Sequence, residues 1–216
     1  MSQYIKKLIA AGENQQLDFK FEISDSKKIA RTFSAFANTD GGILLIGVKD
    51  NGSITGVRTD EEYYMAEAAA RLYCKPEVPF TVEKWTIDGK TVLEIKVPRS
   101  KAGPHYSRDK NDRWMAYIRV NDENILANPV LLKVWKRKNR KSGIKIMYSE
   151  SEELLLDFLS KNDSITITRF AKLARLPYRQ AQAILADLIS IDVIDMNFTE
   201  KKTPVYVLKK KHVQEK

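Results

Sequence analysis

The sequence predicts an α+β fold in two domains, and three observations carry that prediction. Residues 33–57 have the pattern of a helix end, a glycine turn, a buried strand and a hairpin turn. Asp88-Gly89 joins two further strand-like segments through a two-residue turn. After a basic, acid-free segment at residues 136–148, the pattern changes to amphipathic helices followed by two short strands. We therefore predict a first domain at residues 1–135, a linker at 136–148 and a second domain at 149–216.

Composition sets the broad class of the protein. The chain has 216 residues, of which 43% are hydrophobic, so a core can form. Its mean hydropathy is −0.40, no apolar run approaches membrane-spanning length, and no secretory signal begins the sequence, so we expect a soluble cytoplasmic protein. The single cysteine, Cys74, excludes an internal disulfide framework. The net charge of +9 predicts either a polyanionic partner or a solvated basic surface.

The first domain begins with a short helix and an alternating strand. Residues 4–11 are predicted as a helix that Gly12 ends. Residues 17–21 alternate apolar and polar side chains, as a half-buried strand does. This alternation predicts that Phe21 faces inward and that Asp18 faces outward.

The next helix leads into the glycine turn. Asp25 or Ser26 is predicted to cap this helix. Gly41 can adopt a positive φ, which lets the chain reverse after the helix. Residues 43–48 form a short apolar run with β-branched side chains, typical of a central strand. The Asp-Asn-Gly sequence at residues 50–52 predicts a hairpin turn and a return strand.

The rest of the first domain is predicted from periodicity and turn residues. The elements in chain order are a helix at 60–74, strands at 81–87 and 91–97, a loop at 98–111, a strand at 114–120 and a helix that starts at Asn128-Pro129. In the first of these helices, Tyr64, Ala68 and Leu72 fall on one stripe, which we expect to face the core.

The second domain has a different order of elements. We predict a helix at 152–159, a short strand at 165–167, a helix at 169–174 capped by Thr168, a helix at 178–190 and strands at 193–198 and 205–208. Helix, strand, helix, turn, helix and a two-stranded wing is an order that resembles the winged helix-turn-helix fold.

Two motifs in the first domain carry a family resemblance. The sequence AFANTDGGILLIGVKDNGSITGV at residues 35–57 closely resembles the signature of the Schlafen/AlbA-like family of DNA-binding domains. The sequence GENQQLDFK at residues 12–20 resembles the opening motif of that family, a Glu followed by Glu-Phe-Lys, with Asp18 where Glu is usual. The resemblance covers roughly residues 13–127. It implies a mixed sheet with flanking helices and a role in DNA binding.

The resemblance also implies a metal site. The positions that match Glu13, Asp18 and Asp50 form the metal-binding carboxylate set of the nuclease members. Three converging carboxylates can hold Mg²⁺ or Mn²⁺, which activates water for attack on a phosphodiester. Lys20 would point the same way as Asp18 along the strand and neutralise phosphate charge. The alternative is that these acids are surface residues and that Asp50 only shapes its turn.

The predicted winged helix supplies a second set of candidate residues. Residues placed to read base edges in the major groove are Tyr178, Arg179 and Gln182. Residues placed to contact phosphates are Arg169, Lys172, Arg175, Lys201 and Lys202. The basic linker adds Arg137, Lys138, Arg140 and Lys141 as a phosphate-binding arm, or as charge that keeps the linker solvated.

These patterns favour a DNA-binding transcriptional regulator with double-stranded DNA as its partner. The first alternative is a metal-dependent nuclease acting on RNA or DNA through Glu13, Asp18, Asp50 and Lys20. The second is a protein-interaction adaptor, since winged helices are also used without DNA. Homodimerisation stays open, and no cofactor is required except Mg²⁺ or Mn²⁺ in the nuclease alternative. An ATP site is not supported, because the sequence has no Gly-x-x-x-x-Gly-Lys-Ser/Thr loop.

Overall fold

A computed structural model describes residues 2–57, 59–101, 103–139 and 148–209. The chain divides into two compact units, unit 1 (Met1–Ala127) and unit 2 (Asn128–Lys216). Helices and strands occur in both units, which confirms the α+β class. In the described ranges, no helix combines the length and the apolar character that crossing a bilayer requires.

Unit 1 contains two four-stranded sheets and three helices among its described residues. Its elements are α1 Ser2–Ala11, β1 Leu17–Lys20, α2 Ser26–Asn38, β2 Gly42–Ile46, α3 Glu61–Arg71, β3 Cys74–Lys75, β4 Thr81–Ile87, β5 Lys90–Val97, β6 Tyr106–Arg108, β7 Trp114–Val120 and β8 Glu123–Leu126. The sheets have the orders β1-β2-β5-β4 and β3-β6-β7-β8. The β1–β2 pair is parallel, and the other pairs are antiparallel.

Helix α2 organises the core of unit 1. It packs against α3 and against strands of both sheets, and its Phe33 and Phe36 are fully buried. Asp25 caps the helix by accepting the backbone N–H of Lys27 at 2.8 Å, as the sequence predicted. Gly41 then has φ +73°, and a Cβ there would lie 2.8 Å from backbone atoms of the β5 end, so only glycine fits. The turn thus lets β2 follow α2 closely in the chain, and Leu44 and Ile46 of β2 join the same buried core as Phe33 and Phe36.

One helix and one strand of unit 1 bury other residues than those that the sequence predicted to face inward. On α3, Tyr64 and Leu72 are 65% and 67% exposed, and the buried residues are Ala66, Ala69 and Ala70. The prediction of a large apolar stripe was wrong, because α3 meets α2 through small side chains. On β1, Asp18 is only 3% exposed, whereas the Phe21 side chain just beyond the strand is 43% exposed. The alternation failed because both faces of β1 are covered.

The segment predicted as a loop at residues 98–111 contains the short strand β6. Its His105 is 2% exposed, and its ring nitrogens lie 2.9 Å from the Pro76 carbonyl oxygen and 2.7 Å from Ser100 Oγ.

The predicted return strand at 54–57 is reduced to a single bridge between Val48 and Ile54. The Asp88-Gly89 hairpin is confirmed, with φ values of 50° and 77°.

Unit 2 has four helices and one two-stranded sheet among its described residues. Its elements are α4 Pro129–Lys138, α5 Glu150–Lys161, α6 Ile167–Leu173, α7 Tyr178–Ser190, β9 Ile194–Phe198 and β10 Pro204–Leu208. Strands β9 and β10 are antiparallel, and Ile165 forms a bridge with Tyr206 of β10. The core joins buried residues from all four helices, including Val134, Leu155, Phe170 and Leu185.

Two local predictions in unit 2 are corrected. The helix α6 is capped by Thr166, which accepts the backbone N–H of Arg169, and not by Thr168. The predicted strand at 165–167 is only the Ile165 bridge, because Ile167 already begins α6.

The units also divide between residues 127 and 128 and not after 135, since α4 packs against α7. The predicted linker therefore begins inside α4, and its residues 140–147 lie outside the described part of the chain.

Candidate functional site

A cleft of about 530 Å³ in unit 1 gathers the site residues predicted for the first domain. Glu13, Asp18, Lys20 and Asp50 all line it. The lining contains seven acidic and four basic side chains, so the cleft is acidic overall. A phosphate would meet net repulsion here, because like charges are brought together in a partly enclosed space.

Asp18 is held by a buried ion pair that the fold places at the floor of the cleft. Its Oδ1 accepts a hydrogen bond from Arg119 Nη2 at 3.2 Å. Arg119 is only 2% exposed and also donates to the backbone carbonyls of Asn14 and Leu17. Its guanidinium carbon lies 5.3 Å from the centre of the Phe36 ring. Arg119 thus ties β7 to β1 and leaves little freedom for the carboxylate of Asp18.

The second oxygen of Asp18 has a different environment. Lys20 Nζ lies 3.0 Å from Asp18 Oδ2, but outside hydrogen-bonding directions, so this contact is an ion pair and the buried Oδ2 accepts no hydrogen bond. Lys20 Nζ instead donates to the carbonyl oxygen of Phe19 at 2.7 Å. Oδ2 is therefore an acceptor without a donor.

Glu13 completes a carboxylate pair with Asp18. Its Oε1 accepts the backbone N–H of Phe19 at 2.8 Å, and Lys20 Nζ lies 4.0 Å away. Burial raises the pKa of Glu13, and the neighbouring carboxyl group of Asp18 raises the pKa further. The protonated form of Glu13 is therefore favoured at this position.

The predicted metal ligands do not form a three-carboxylate site as they stand. Among the described residues, no three His, Cys, Asp or Glu side chains are grouped closely enough to hold an ion. Glu13 and Asp18 are adjacent, but Asp50 lines the same cleft without joining them. Both oxygens of Asp18 also face cations of the protein itself. The ligand set therefore remains a prediction.

In unit 2, the candidate DNA-contacting residues outside the linker lie mostly on one stretch of chain that we call the α6–α7 surface. It consists of Arg169, Lys172, Arg175, Tyr178, Arg179 and Gln182. Tyr178 is 52% exposed, and the four cations are exposed. Within the described part of the chain, none of these cations forms an ion pair with an acidic side chain. Lys201 and Lys202 follow in the turn between β9 and β10, where Lys202 has φ 56°.

The linker cations have another environment. Arg137 lies on α4 and binds Asp187 of α7, with Nε 2.6 Å from Oδ1 and Nη2 3.1 Å from Oδ2. Lys138 lies 4.0 Å from Asp192, which also binds Lys209 at 2.6 Å. Lys209 and Lys138 hold the pKa of Asp192 below its usual value. Arg137 and Lys138 are thus engaged inside unit 2, while Arg140 and Lys141 lie outside the described residues.

Comparison with known families decides the relationship of unit 1. The family model of Schlafen, AlbA_2 matches residues 13–128, which is more than half of the chain. The chain belongs to the Schlafen/AlbA_2 family. The match starts at Glu13 and includes Asp18, Asp50 and Arg119, whereas the α6–α7 surface lies beyond it.

Solved structures give weaker similarities to this Schlafen/AlbA_2 chain. The DIP2311 protein from Corynebacterium diphtheriae has a TM-score of 0.48 and 17% identity, and the match covers 74% of this chain and 39% of that one. The N-terminal domain of an ATP-dependent DNA helicase RecG-related protein from Nitrosomonas europaea has a TM-score of 0.39 and 18% identity, with 69% and 97% covered. No curated protein matches the chain.

Two further residues of the Schlafen/AlbA_2 region belong to this site. Arg119 is the partner of Asp18, and Asn124 of β8 accepts from Arg119 at 3.1 Å while donating to Thr32 at 2.9 Å. The available signal for Arg119 was the sequence YIRV at residues 117–120, which resembles the family and places there a cation that can pair with an acid or with phosphate. Asn124 gave none, because β8 was not predicted as a strand.

Proposed function

We propose that this Schlafen/AlbA_2 protein is a transcriptional regulator that binds double-stranded DNA through unit 2. Family membership points to a nucleic-acid-related role. The observation that carries the proposal further is the α6–α7 surface, where four exposed cations have no acidic partner among the described residues. Cations that are not neutralised within the protein are the ones available to phosphates.

The distribution of charge supports unit 2 as the DNA-contacting part. Residues 1–127 contain 19 basic and 18 acidic side chains, whereas residues 128–216 contain 18 and 10. Nearly all of the net charge of +9 therefore belongs to unit 2. A basic, compact unit attracts DNA over roughly a Debye length, about 8–10 Å at ordinary salt.

The order of elements in unit 2 suggests how DNA would be read. We propose that residues 149–209 form a winged helix-turn-helix in which α6 and α7 are the paired helices and the β9–β10 hairpin is the wing. In such folds the N-terminal part of the second helix enters the major groove. Tyr178, Arg179 and Gln182 occupy that part of α7. Arg and Gln donate hydrogen bonds to the edges of guanine and adenine, respectively.

Fluorescence anisotropy with a selected duplex and a scrambled duplex tests the proposal. If about six of the unit 2 cations contact phosphates, the slope of log affinity against log salt is about −5. Preference for the selected duplex should persist as salt rises. Binding that ignores salt, or no binding at low salt, would instead support the protein-interaction adaptor. Sedimentation of the complex shows whether one or two copies bind each site.

One observation favours a second candidate function, a metal-dependent nuclease. Asp18 Oδ2 is buried, lines the cleft and accepts no hydrogen bond, so a metal ion could take the place that Lys20 Nζ holds 3.0 Å from this oxygen. The described side chains do not supply a third converging carboxylate. The test is cleavage of single-stranded RNA or DNA with Mg²⁺ or Mn²⁺, which Asp50→Asn should abolish without unfolding unit 1. Lack of turnover on several substrates at high protein concentration would remove this candidate.

A further inference from the structure

Arg169 differs from the other described arginines of unit 2 in that its guanidinium lies over an aromatic ring. Its guanidinium carbon lies 4.7 Å from the centre of the Phe158 ring. Its backbone is also fixed, since its N–H donates to Thr166 Oγ1 at 3.3 Å in the N-terminal cap of α6. Arg137, by contrast, is bound by the carboxylate of Asp187.

Phe158 itself is a fixed support. It lies on α5 next to the buried Leu159, and it packs against the core of unit 2 while part of its surface stays accessible. Its carbonyl oxygen accepts a hydrogen bond from Asn162 Nδ2 at 2.8 Å, close to the end of the helix. The ring therefore has a defined position relative to α6.

Stacking leaves the polar edge of Arg169 available. A guanidinium within about 6 Å of a ring centre is attracted to the ring face. Its five N–H groups lie in the guanidinium plane and can form two parallel hydrogen bonds with a phosphate. An unsupported arginine would instead lose rotamer freedom on binding, which reduces affinity.

We infer that Phe158 is a positioning residue that holds the Arg169 guanidinium in orientation for a DNA phosphate. This inference rests on the proposed function of unit 2, and it adds α5 to the elements that determine DNA affinity. A phosphate contact carries no sequence information. Phe158 should therefore affect the affinity for every duplex equally.

The experiment uses the full chain and a fluorescein-labelled scrambled duplex. Phe158→Leu keeps an apolar side chain but removes the ring face, and it should weaken binding by about two- to fivefold. Phe158→Tyr keeps the ring and should bind as the native chain does. Arg169→Lys keeps the charge but lacks the planar guanidinium, so it should also weaken DNA binding. This variant still tests the inference if Phe158→Leu does not fold. Leu156→Ala is a packing control, because Leu156 also packs against this core but has no ring face on which Arg169 could stack.

A double-mutant cycle separates positioning from packing. In an Arg169→Ala background, Phe158→Leu should have no further effect on affinity. If the two losses multiply instead, Phe158 does not act through Arg169 and the inference falls. It also falls if Phe158→Leu binds as tightly as the native chain.

A readout without DNA distinguishes this inference from the proposed function. The ring current of Phe158 should shift the side-chain NMR resonances of Arg169, and the shift should vanish in Phe158→Leu but remain in Phe158→Tyr. If the protein shows the shift but binds no duplex, the absence of binding contradicts the proposed function and the shift still supports the stacking of Arg169 on Phe158. Salt-dependent binding without any shift would overturn the positioning role alone.

Discussion

Units 1 and 2 contain nearly the same number of basic side chains but place them differently. In unit 1, Arg119 is 2% exposed and its guanidinium is used by Asp18, by two backbone carbonyls and by Asn124. In unit 2, the cations of the α6–α7 surface are exposed, and the described residues give them no acidic partner. Arg119 thus closes the structure of unit 1, whereas the cations of the α6–α7 surface are presented to solvent.

This difference teaches that the number of cations does not identify a nucleic-acid surface. A cation that is bound by its own chain cannot release counterions from DNA, whereas an unpaired cation can. The same distinction applies inside unit 2, where Arg137 and Lys138 face Asp187 and Asp192. Whether a basic side chain has an acidic partner therefore distinguishes a structural cation from a cation that is available to DNA.

The strongest test of the internal role in unit 1 is Arg119→Met. This change leaves the carboxylate of Asp18 buried without its main partner, and breaking a buried pair in this way costs about 3–5 kcal/mol. Urea denaturation should show the loss of stability. Arg113→Met is the matched control, because Arg113 pairs with Asp109 at an exposed position and should cost less than about 1 kcal/mol. Equal effects of both changes would contradict a buried structural pair.

The opposite test applies to unit 2. Replacing Lys172, Arg175 and Arg179 with Gln removes three charges and should reduce the magnitude of the salt slope by about 2.7. The affinity for all duplexes should fall while the free energy of unfolding changes little. Lys7, Lys75 and Lys110 of unit 1, which are also exposed, provide the control set. If replacing the control set weakens DNA binding equally, the cations of unit 2 contribute no more to DNA binding than the exposed cations of unit 1, which contradicts the proposal.

In unit 2, the side chains that read the base sequence can be distinguished from the side chains that only attract the DNA backbone. Arg179→Ala and Gln182→Ala should each reduce discrimination between selected and scrambled duplexes by about 1–3 kcal/mol per base contact. Lys201→Ala combined with Lys202→Ala should weaken both duplexes equally and flatten the salt slope by about 2. Anisotropy titrations at several salt concentrations measure both quantities. Unchanged discrimination would show that α7 does not read the sequence.

The smallest expected effect is the pH dependence of unit 1. Burial raises the pKa of Glu13 above its unfolded value, so its protonated form is favoured in the folded state. The resulting stabilisation is complete below the unfolded pKa of about 4.3 and is lost as pH rises through the folded pKa. Glu13→Gln should therefore flatten the decline of stability as the pH rises above about 4. Urea denaturation across this range tests it, with Glu22→Gln as a control from the same cleft.

Several elements could be predicted because their signals are local. The bounds of β4, β7 and α7 agree with the predicted segments, since periodicity and turn residues lie within those segments. The caps Asp25 and Asn128 were also predictable, because a capping side chain binds a backbone N–H within the next turn. Glu13, Asp18, Lys20 and Asp50 line one cleft, and their role as a metal site stays a prediction.

Other properties depend on partners that are distant in sequence. The burial of Asp18 depends on Arg119, which follows it by 101 residues. The assignment of α4 to unit 2 depends on its packing against α7. The helices, the turns, the basic excess and the family motif can be derived from the sequence alone, because each is encoded by neighbouring residues. Which charges are neutralised and which face solvent follows only from the folded chain, because electrostatic pairing depends on distance in space and on burial.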